Sequence, residues 1–397
     1  APDFRASICR RGPLSASMPP LNYEFQRGRR HCEGASPCFS TRGGAKRVLH
    51  RGRARRGGCT TARADQRESV RMTLEIDASG ARTLLRTRED LRRTGLSDRA
   101  IHERVDARRL RRVRRGRYVE GSAWDALWNE GRHLVEVMAA ALNCGDGGPV
   151  FWGPSAAVLH RLPLYRLAPR YVHAVIDGAR HGRSRAGIVW HNIDIDPADV
   201  VVVDGIRCTS LDRTVLDLCR SFREEVGLSA ADAAQRRESQ IGHLQDTAAA
   251  DAWRARLQGR AATEHGRGIR QARALIDASD GRAQLPGESV SRLHLQRLGF
   301  RDVQLQTHVR GPAGEDYWLD FAFPGARAFG EFDGQTKYRD PLMRRGRSME
   351  DVLLAEKVRE DAIRGVTGWR IVRWTSEHIA TADALAARLR AFGIPPC

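Results

Sequence analysis

The pattern of apolar and polar positions is clearest in the last part of the chain, from residue 286 onward. ESVSRLHLQRLGF has the apolar spacing of a helix, and three strand-like runs follow it, DVQLQTHVRG, YWLDFAFP and ARAFGEFDG. MEDVLLAEKVREDAIRG then predicts an amphipathic helix, GWRIVRW a fourth strand, and SEHIATADALAARLRAF a final helix. The apolar periods therefore predict the order α-β-β-β-α-β-α for this region.

The pattern before residue 286 predicts two further regions. In residues 72–120, short helical segments surround the turn Thr94–Ser97, where Ser97 is placed to cap a helix, and the basic hairpin RRVRRGRYVE follows. In residues 121–285, amphipathic helices alternate with strand-like runs such as GIVWHNIDI and DVVVVDGIRCTS. This region ends in DASDGRAQLPGE, which has the glycine, proline and aspartate content of a linker. The sequence thus predicts a multidomain α/β protein with a mixed α/β middle region.

Residues 1–71 show no helical or strand period. They hold 16 Lys and Arg against 5 Asp and Glu, so they contribute +11 of the net charge of +19 and leave +8 for the rest of the chain. Such a segment buries too little apolar surface to offset its ordering entropy, and it is predicted to be a disordered basic extension. We interpret Met72 as the true start; the alternative is a basic arm that adds nonspecific affinity for nucleic acid.

Composition excludes several classes of protein. The 397 residues are 41% hydrophobic, which is enough to bury real cores. No run approaches the roughly 18 apolar residues of a membrane helix, and no signal-peptide pattern is present, so a cytoplasmic protein is expected. The eight cysteines are scattered without a C-x-x-C pair, which argues against structural zinc. The scattered His160, His173, His181 and His191 are predicted to be packed or solvent-facing, and no chemistry is assigned to them.

The region 72–120 has the parts of a winged helix-turn-helix: a helix, a turn, a basic helix and a basic hairpin around Gly116. Proteins of this architecture bind DNA through the second helix and the wing. The residues predicted to contact DNA are Arg99, Arg104, Arg108, Arg112, Arg114, Arg115 and Arg117. The alternative is a small helical domain whose arginines face solvent.

Acidic residues interrupt the buried strands of the C-terminal region. Asp320 lies in the second strand, Glu331 in the third, and Asp333 directly after it, so a hairpin would bring the acids to one edge of the sheet. Two carboxylates at such an edge suit Mg²⁺ or Mn²⁺, which would serve phosphodiester hydrolysis, and Glu288 on the opening helix would orient a metal-bound water. The alternative is that Asp320 and Glu331 form ion pairs with Arg327 or Arg373.

Residues 81–222 resemble the AbiEi-type antitoxins of type IV toxin–antitoxin systems. The resemblance rests on the helix-turn-helix with its hairpin ending GRYV, and on GPSAAVLHRLPL and TSLDRTVLDLCR. It implies a DNA-binding, autoregulating transcription factor with a cognate toxin as its partner, and it does not imply catalysis.

Residues 286–392 resemble the very-short-patch-repair-endonuclease-like (Vsr-like) domain of the PD-(D/E)XK restriction-endonuclease-like superfamily. The matching motifs are PGES, LDFAFP, EFDGQTKY, AEKVRED and GWRIVRW. The resemblance implies a restriction-endonuclease-like α-β-β-β-α-β core across 286–397. It also implies a third-strand motif E-x-K, whose lysine position is occupied here by Asp333.

That departure leaves several interpretations open. The role of the lysine could have moved to Lys337 or to Lys357, or Asp333 could be a third metal ligand while Lys337 contacts phosphate. A nuclease fold that binds DNA without cutting it is the remaining alternative. Two functions follow: a metal-dependent DNA endonuclease recruited by the winged helix, or an antitoxin-like transcriptional regulator that keeps the C-terminal fold as a platform.

Overall fold

The computed structural model describes residues 76–145, 148–175, 187–334 and 348–395. All of them belong to one compact unit, Arg67–Cys397. The predicted basic extension 1–71, together with Lys337 and His181, lies outside the described residues. Within the described part of the chain, no helix is both long and apolar enough to cross a membrane.

The N-terminal part combines short helices with a small antiparallel sheet of strand order β1-β3-β2. Its elements are α1 (Ala78–Leu84), β1 (Arg86–Thr87), α2 (Arg88–Arg93), α3 (Asp98–Asp106), β2 (Leu110–Arg114) and β3 (Arg117–Glu120). Ser97 caps α3 as predicted, because its side chain accepts a hydrogen bond from the Ala100 N–H. The hairpin is also confirmed, and Gly116 has the positive φ of 75° that its tight turn requires.

One detail of this part differs from the prediction. The spacing of Leu84, Leu85 and Leu91 in the sequence predicts one short helix before the turn, but the structure separates α1 from α2 with the two-residue strand β1. The reason is local: Thr87 and Asp90 form a reciprocal capping box that starts a new helix at Arg88. The sheet therefore gains a third strand beside the hairpin.

The middle region is a mixed sheet of strand order β6-β5-β4-β8-β7 with helices packed on it. Its first elements are α4 (Gly121–Ala126), α5 (Asn129–Cys144), β4 (Val150–Phe151), α6 (Pro154–Leu159), β5 (Val172–Val175), β6 (Ile188–His191), β7 (Val200–Val203), β8 (Ile206–Thr209) and α7 (Leu211–Ser221). β4 runs parallel to β8, and β5 runs parallel to β6. Ala81 of α1 and Val119 of β3 belong to the same hydrophobic core as Val135 of α5, so the N-terminal part is packed directly onto this region.

The segment that follows is largely helical, as the sequence predicts for residues 236–286. It contains α8 (Glu224–Ser239), β9 (Gln240–Ile241), β10 (Leu244–Gln245), α9 (Thr247–Thr263) and α10 (Ile269–Asp277). Trp253 and Ile276 are fully buried in the core that this segment shares with the middle region. In the loop after α10, the Asp280 N–H donates to Asp232, and the Gly281 N–H donates to Gln235. The glycine and aspartate of DASDG thus form a hydrogen-bonded turn against α8 instead of a spacer.

The C-terminal region has the predicted order of helices and strands, with one sheet of strand order β11-β12-β13-β14. The elements are α11 (Pro286–Arg297), β11 (Gln304–Arg310), β12 (Asp316–Phe323), β13 (Ala328–Phe332), α12 (Met349–Thr367), β14 (Arg370–Trp374) and α13 (Ala382–Ala391). The strands are antiparallel except for the parallel pair β13–β14. The final helix starts at Ala382, six residues later than predicted, and Thr381 caps it.

Alternating side chains of this sheet enter two separate cores. Ala328 and Val372 pack with α11 and α13, whereas Phe329 packs with Ile363 of α12. The sheet is therefore covered by helices on both faces, which explains why its strands read as nearly continuous apolar runs. The overall fold is mixed α/β, as predicted.

Close packing between α11 and the sheet supports a stability prediction at Gly287. A Cβ added at this buried glycine would overlap the ring of Phe332, whereas a Cβ added at Gly259 in α9 would meet no atom within 4 Å. Gly287→Ala is expected to lower the free energy of unfolding by about 1–3 kcal/mol, because the core must shift. Gly259→Ala is expected to raise it by up to about 1 kcal/mol through helix propensity. Urea denaturation measures both, and equal changes would contradict the close fit.

Candidate functional site

The acids of the second and third C-terminal strands lie side by side. β12 and β13 pair antiparallel with Phe321 opposite Gly330, so Asp320 and Glu331 occupy the next cross-strand position. The backbone N–H of Phe332 donates a hydrogen bond of 2.8 Å to Oδ2 of Asp320, which fixes this carboxylate at the edge of β13. Asp333 follows directly, and its N–H donates to the carbonyl of Trp374 at 2.8 Å. The sheet register thus gathers the three predicted acids.

These acids open into a cleft of about 370 Å³. Its described lining residues are His243, Gln284, Gln306, Trp318, Asp320, Glu331, Phe332, Asp333, Glu356, Arg359 and Arg373. The lining includes four carboxylates and two guanidinium groups. It also includes two glutamine amides and His243, which lies between β9 and β10 and stacks on Trp318 with ring centroids 5.3 Å apart. The cleft therefore uses residues from both the middle and the C-terminal regions.

Gln306 connects the predicted residue Glu288 to Asp320. Its Nε2 lies 3.4 Å from Oε2 of Glu288 and 3.4 Å from Oδ1 of Asp320, and its Oε1 accepts a hydrogen bond from Gln284. Glu288 is buried, with 3% of its surface exposed, and it also accepts the N–H of Gln284 at 2.7 Å. Gln306 has a φ of 48°, a strained value for a residue other than glycine. The strand is distorted where this amide meets the two acids.

Glu331 is held by two arginines. Nη1 of Arg359 donates to its Oε1 at 2.6 Å, and Nε of Arg373 donates to its Oε2 at 3.0 Å. Burial lowers the pKa of Arg373, but the hydrogen bond and the charge of Glu331, with the charge of Glu360 added, outweigh burial and raise it. The ion-pair alternative is therefore confirmed for Glu331 and Arg373. Asp320 accepts a hydrogen bond from the main-chain N–H of Phe332.

The lysines predicted to replace the missing third-strand lysine are not part of the described cleft wall. Lys357 is exposed on α12 and is absent from the described lining residues. Lys337 lies outside the described residues. The cations that the structure places beside the acids are Arg373, which the sequence analysis named as an ion-pair partner, and Arg359, which it did not name. The only signal for Arg359 is its place in the motif segment AEKVRED.

The carboxylates of the cleft can be compared with the ligands that the predicted Mg²⁺ or Mn²⁺ would need. Among the described residues, no three His, Cys, Asp or Glu side chains are grouped closely enough to hold a metal ion. Mg²⁺ is nevertheless bound by one or two carboxylates together with water and substrate phosphate. Asp320 and Glu331 are adjacent oxygen donors of this kind, and Asp333 lines the same cleft. The residues present therefore fit a cation that is completed by a phosphate ligand.

The arginines predicted to contact DNA fall into two groups. Arg108, Arg112 and Arg115 are exposed, Arg104 is half-buried, and Arg99 is exposed beside Glu103 with a 2.9 Å ion pair. Nε of Arg114 donates to the carbonyl of Glu136 and Nη2 to that of Gly187, while Nε of Arg117 donates to Oδ1 of Asn143. Burial lowers the pKa of Arg114. Arg114 and Arg117 thus attach the hairpin to its neighbours.

Three of the histidines named from the sequence, His160, His173 and His191, are packed in the middle region. Nδ1 of His173 and Nε2 of His191 are 2.9 Å apart, and their rings are stacked beside Trp152. Burial, followed by the charges of His191 and His133, lowers the pKa of His173 to about 4. Nε2 of His160 lies 2.7 Å from the carbonyl of Thr209, and burial lowers the pKa of His160 as well. These rings belong to the packing of the sheet.

Comparison with known proteins gives relatives but no function. No model of a known protein family matches the chain. The chain is 28% identical over 189 residues to two uncharacterized proteins of Mycobacterium tuberculosis, MT2308 from strain CDC 1551 / Oshkosh and Rv2248 from strain ATCC 25618 / H37Rv. Each match covers 47% of this chain and 62% of the relative. The chain therefore spans less than two thirds of the length of these relatives.

Proposed function

We propose that this chain is a DNA-binding protein whose C-terminal region hydrolyses phosphodiester bonds with Mg²⁺ or Mn²⁺. The observation that carries the proposal is the cleft in which the register of β12 and β13 places Asp320 next to Glu331. Glu288 is linked to these acids through Gln306. Carboxylates gathered around a residue with a strained backbone, here Gln306, are typical of a functional site. Such a cluster of charges is costly where it has only a structural role.

The order of elements around the cleft supports a restriction-endonuclease-like core of the Vsr-like kind. The helix α11 is followed by three antiparallel strands, the helix α12 and the parallel strand β14. The acids lie on the second and third strands of this order, where the resemblance in sequence implies the site. The proposal of an endonuclease rests on this agreement between the motifs and the arrangement of the sheet.

The reaction proposed for the cleft is attack of water on a backbone phosphate. A bond forms between phosphorus and the water oxygen, one ester P–O bond breaks, the water gives up its proton, and the leaving oxygen is protonated to a hydroxyl. A bound Mg²⁺ would lower the pKa of the attacking water and neutralise charge on the phosphate. Asp320 and Glu331 would hold that cation, and Glu288 with Gln306 would fix the orientation of Asp320.

The N-terminal part is proposed to be a winged helix-turn-helix that brings the chain to DNA. The turn after α3 presents Arg108 to solvent, and the β2–β3 hairpin presents Arg112 and Arg115. Arg114 and Arg117 bind the carbonyls and amide of neighbouring segments, so they would position the wing instead of contacting phosphate.

This division of roles is tested by the double variant Arg112→Ala/Arg115→Ala. It is expected to weaken duplex DNA binding and to reduce the slope of log affinity against log salt by about two units, roughly 0.9 per lost phosphate contact. The matched control is Arg267→Ala/Arg270→Ala, which removes two exposed charges from the segment around α10. Fluorescence anisotropy across a salt series measures both variants. Identical slopes would contradict the proposed wing.

A second function is favoured by one observation, the engagement of both Glu331 oxygens by arginines. A carboxylate neutralised in this way suits a platform that has lost its cation. In that case the chain would be an antitoxin-like transcriptional regulator of a type IV system, with DNA and a cognate toxin as partners and a C-terminal fold that does not cut.

Plasmid nicking separates the two functions. Supercoiled plasmid is incubated with the full chain in Mg²⁺, in Mn²⁺ and in EDTA, and the relaxed and linear forms are counted. Cleavage that requires the divalent cation supports the endonuclease. Tight DNA binding without cleavage in either cation supports the regulator.

A further inference from the structure

A pair of arginines forms the positive side of the acidic cleft. Arg359 comes from α12 and Arg373 from β14, and both guanidinium groups contact Glu331. Arg359 also donates through Nη2 to the carbonyl of Trp318 at 2.8 Å, which fixes its side chain against β12. About 28% of the Arg359 side chain is exposed, so its guanidinium borders the open cleft.

Because carboxylates outnumber guanidinium groups among the described lining residues, a polyanion such as DNA needs these two arginines in order to bind in the cleft. Four carboxylates and two guanidinium groups face the cleft, a formal balance of −2. A backbone phosphate that enters would be repelled by the acids unless a cation and these arginines compensate its charge. Glu360 lies 3.5 Å from Arg373 and 3.0 Å from Arg364, so the charge of Arg373 is shared with a second carboxylate. Arg359 is therefore the better donor toward a new anion.

The geometry of a guanidinium allows Arg359 to hold two anions at once. The group has five N–H donors in a planar fork, and its bonds to Glu331 and Trp318 use two of them. The remaining edge can bind an oxygen of a phosphate while Glu331 stays in place. Lys357, on the same helix, is exposed and outside the described cleft wall.

We propose that Arg359 contacts the backbone phosphate in the cleft and stabilises the charge that develops on it during hydrolysis, with Arg373 as the positioning residue of Glu331. The inference rests on the proposed function, since it requires that the cleft binds DNA. It assigns to Arg359 of α12 the role that the sequence left to Lys337 or Lys357 in place of the missing third-strand lysine.

The test compares Arg359→Gln with Lys357→Gln, two variants that remove one positive charge from the same helix. Glutamine at 359 removes the charge and keeps a polar amide on the side chain, and thermal melting checks that the fold is preserved. Binding of a short duplex is measured in Ca²⁺ across a salt series, on DNA shown by gel to stay intact. Rates of cleavage are measured in Mg²⁺ at saturating DNA.

Arg359→Gln is expected to reduce the salt slope by about one unit and to lower kcat by about 10²- to 10³-fold, because a phosphate contact and a transition-state donor are lost. Lys357→Gln is expected to leave both at the wild-type value. An unchanged slope with a lowered melting temperature and kcat would reduce Arg359 to a support for Glu331 and overturn the inference while the endonuclease stands. A wild-type protein that binds DNA but never cleaves it would overturn the proposed endonuclease. The salt slope of Arg359→Gln would still show whether Arg359 contacts a phosphate.

Discussion

Asp320→Asn is expected to abolish cleavage while the protein keeps its fold. The amide oxygen of asparagine can still accept the hydrogen bond that Phe332 donates, so the edge between β12 and β13 stays intact. The lost negative charge removes one ligand of the proposed cation. Lewis-acid stabilisation contributes several kcal/mol, and each 1.4 kcal/mol is a factor of ten, so the rate should fall by about 10³-fold or more.

The matched control is Asp316→Asn on the same strand. Asp316 is exposed and pairs with His308 and Arg310, away from the cleft lining. Its substitution should leave cleavage unchanged, which excludes a general effect of charge on DNA binding. Plasmid nicking in Mg²⁺ gives the rates, and thermal melting in EDTA gives the stability of the metal-free protein. Wild-type cleavage by Asp320→Asn would rule out the cation site.

Glu331→Gln separates catalysis from structure at the neighbouring acid. The substitution should also stop cleavage, but it leaves Arg359 and Arg373 facing a neutral amide in a site where Glu331 is 14% exposed. The metal-free protein should therefore lose about 1–3 kcal/mol of stability, whereas Asp320→Asn should not. Equal stability of the two variants would show that the contacts of Arg359 and Arg373 with Glu331 do not stabilise the protein.

The sequence predicts most of the fold because local patterns determine it. The runs YWLDFAFP and GWRIVRW are too apolar and too short for anything but buried strands, and the structure has strands at Asp316–Phe323 and Arg370–Trp374. The cap at Ser97 and the hairpin at Gly116 are also short-range signals. The packing of the segment 278–285 could not be predicted, because its hydrogen bonds reach Asp232 and Gln235, more than forty residues away.

The site could be predicted in part for the same reason. Asp320 and Glu331 stand out as acids inside apolar strands, and their hairpin follows from the spacing. Gln306 gives no such signal, since glutamine in DVQLQTHVRG resembles an ordinary solvent-facing strand residue. Its role depends on a positive φ and on contacts across the strand pair, which no composition rule reveals. Arg359 lies 28 residues beyond Glu331, and helix α12 alone brings the two together.

The contact between α8 and α11 leads to the largest expected loss of stability. Nη2 of Arg292 on α11 donates to both oxygens of Asp232 on α8, at 2.7 and 2.8 Å, and the side chains are 8% and 1% exposed. Burial raises the pKa of Asp232, and the Arg292 guanidinium opposes that rise. This ion pair joins the C-terminal region to the middle region beside the loop that leads to the cleft. Loss of this ion pair is therefore expected to destabilise both regions.

Arg292→Met is expected to lower the free energy of unfolding by about 3–5 kcal/mol, because it leaves the Asp232 carboxylate buried without its partner. The deficit should shrink as the pH falls, since Asp232 with a further raised pKa takes up a proton more readily in the folded than in the unfolded state. Adding Asp232→Asn should recover part of the loss, because the neutral amide removes the uncompensated charge and still accepts the Asp280 N–H. Arg99→Met, at a pair with 90% and 59% exposed side chains, is the control and should cost less than about 1 kcal/mol. Urea denaturation at several pH values measures all three variants, and a loss for Arg292→Met no larger than that of Arg99→Met would show that the ion pair does not hold the two regions together.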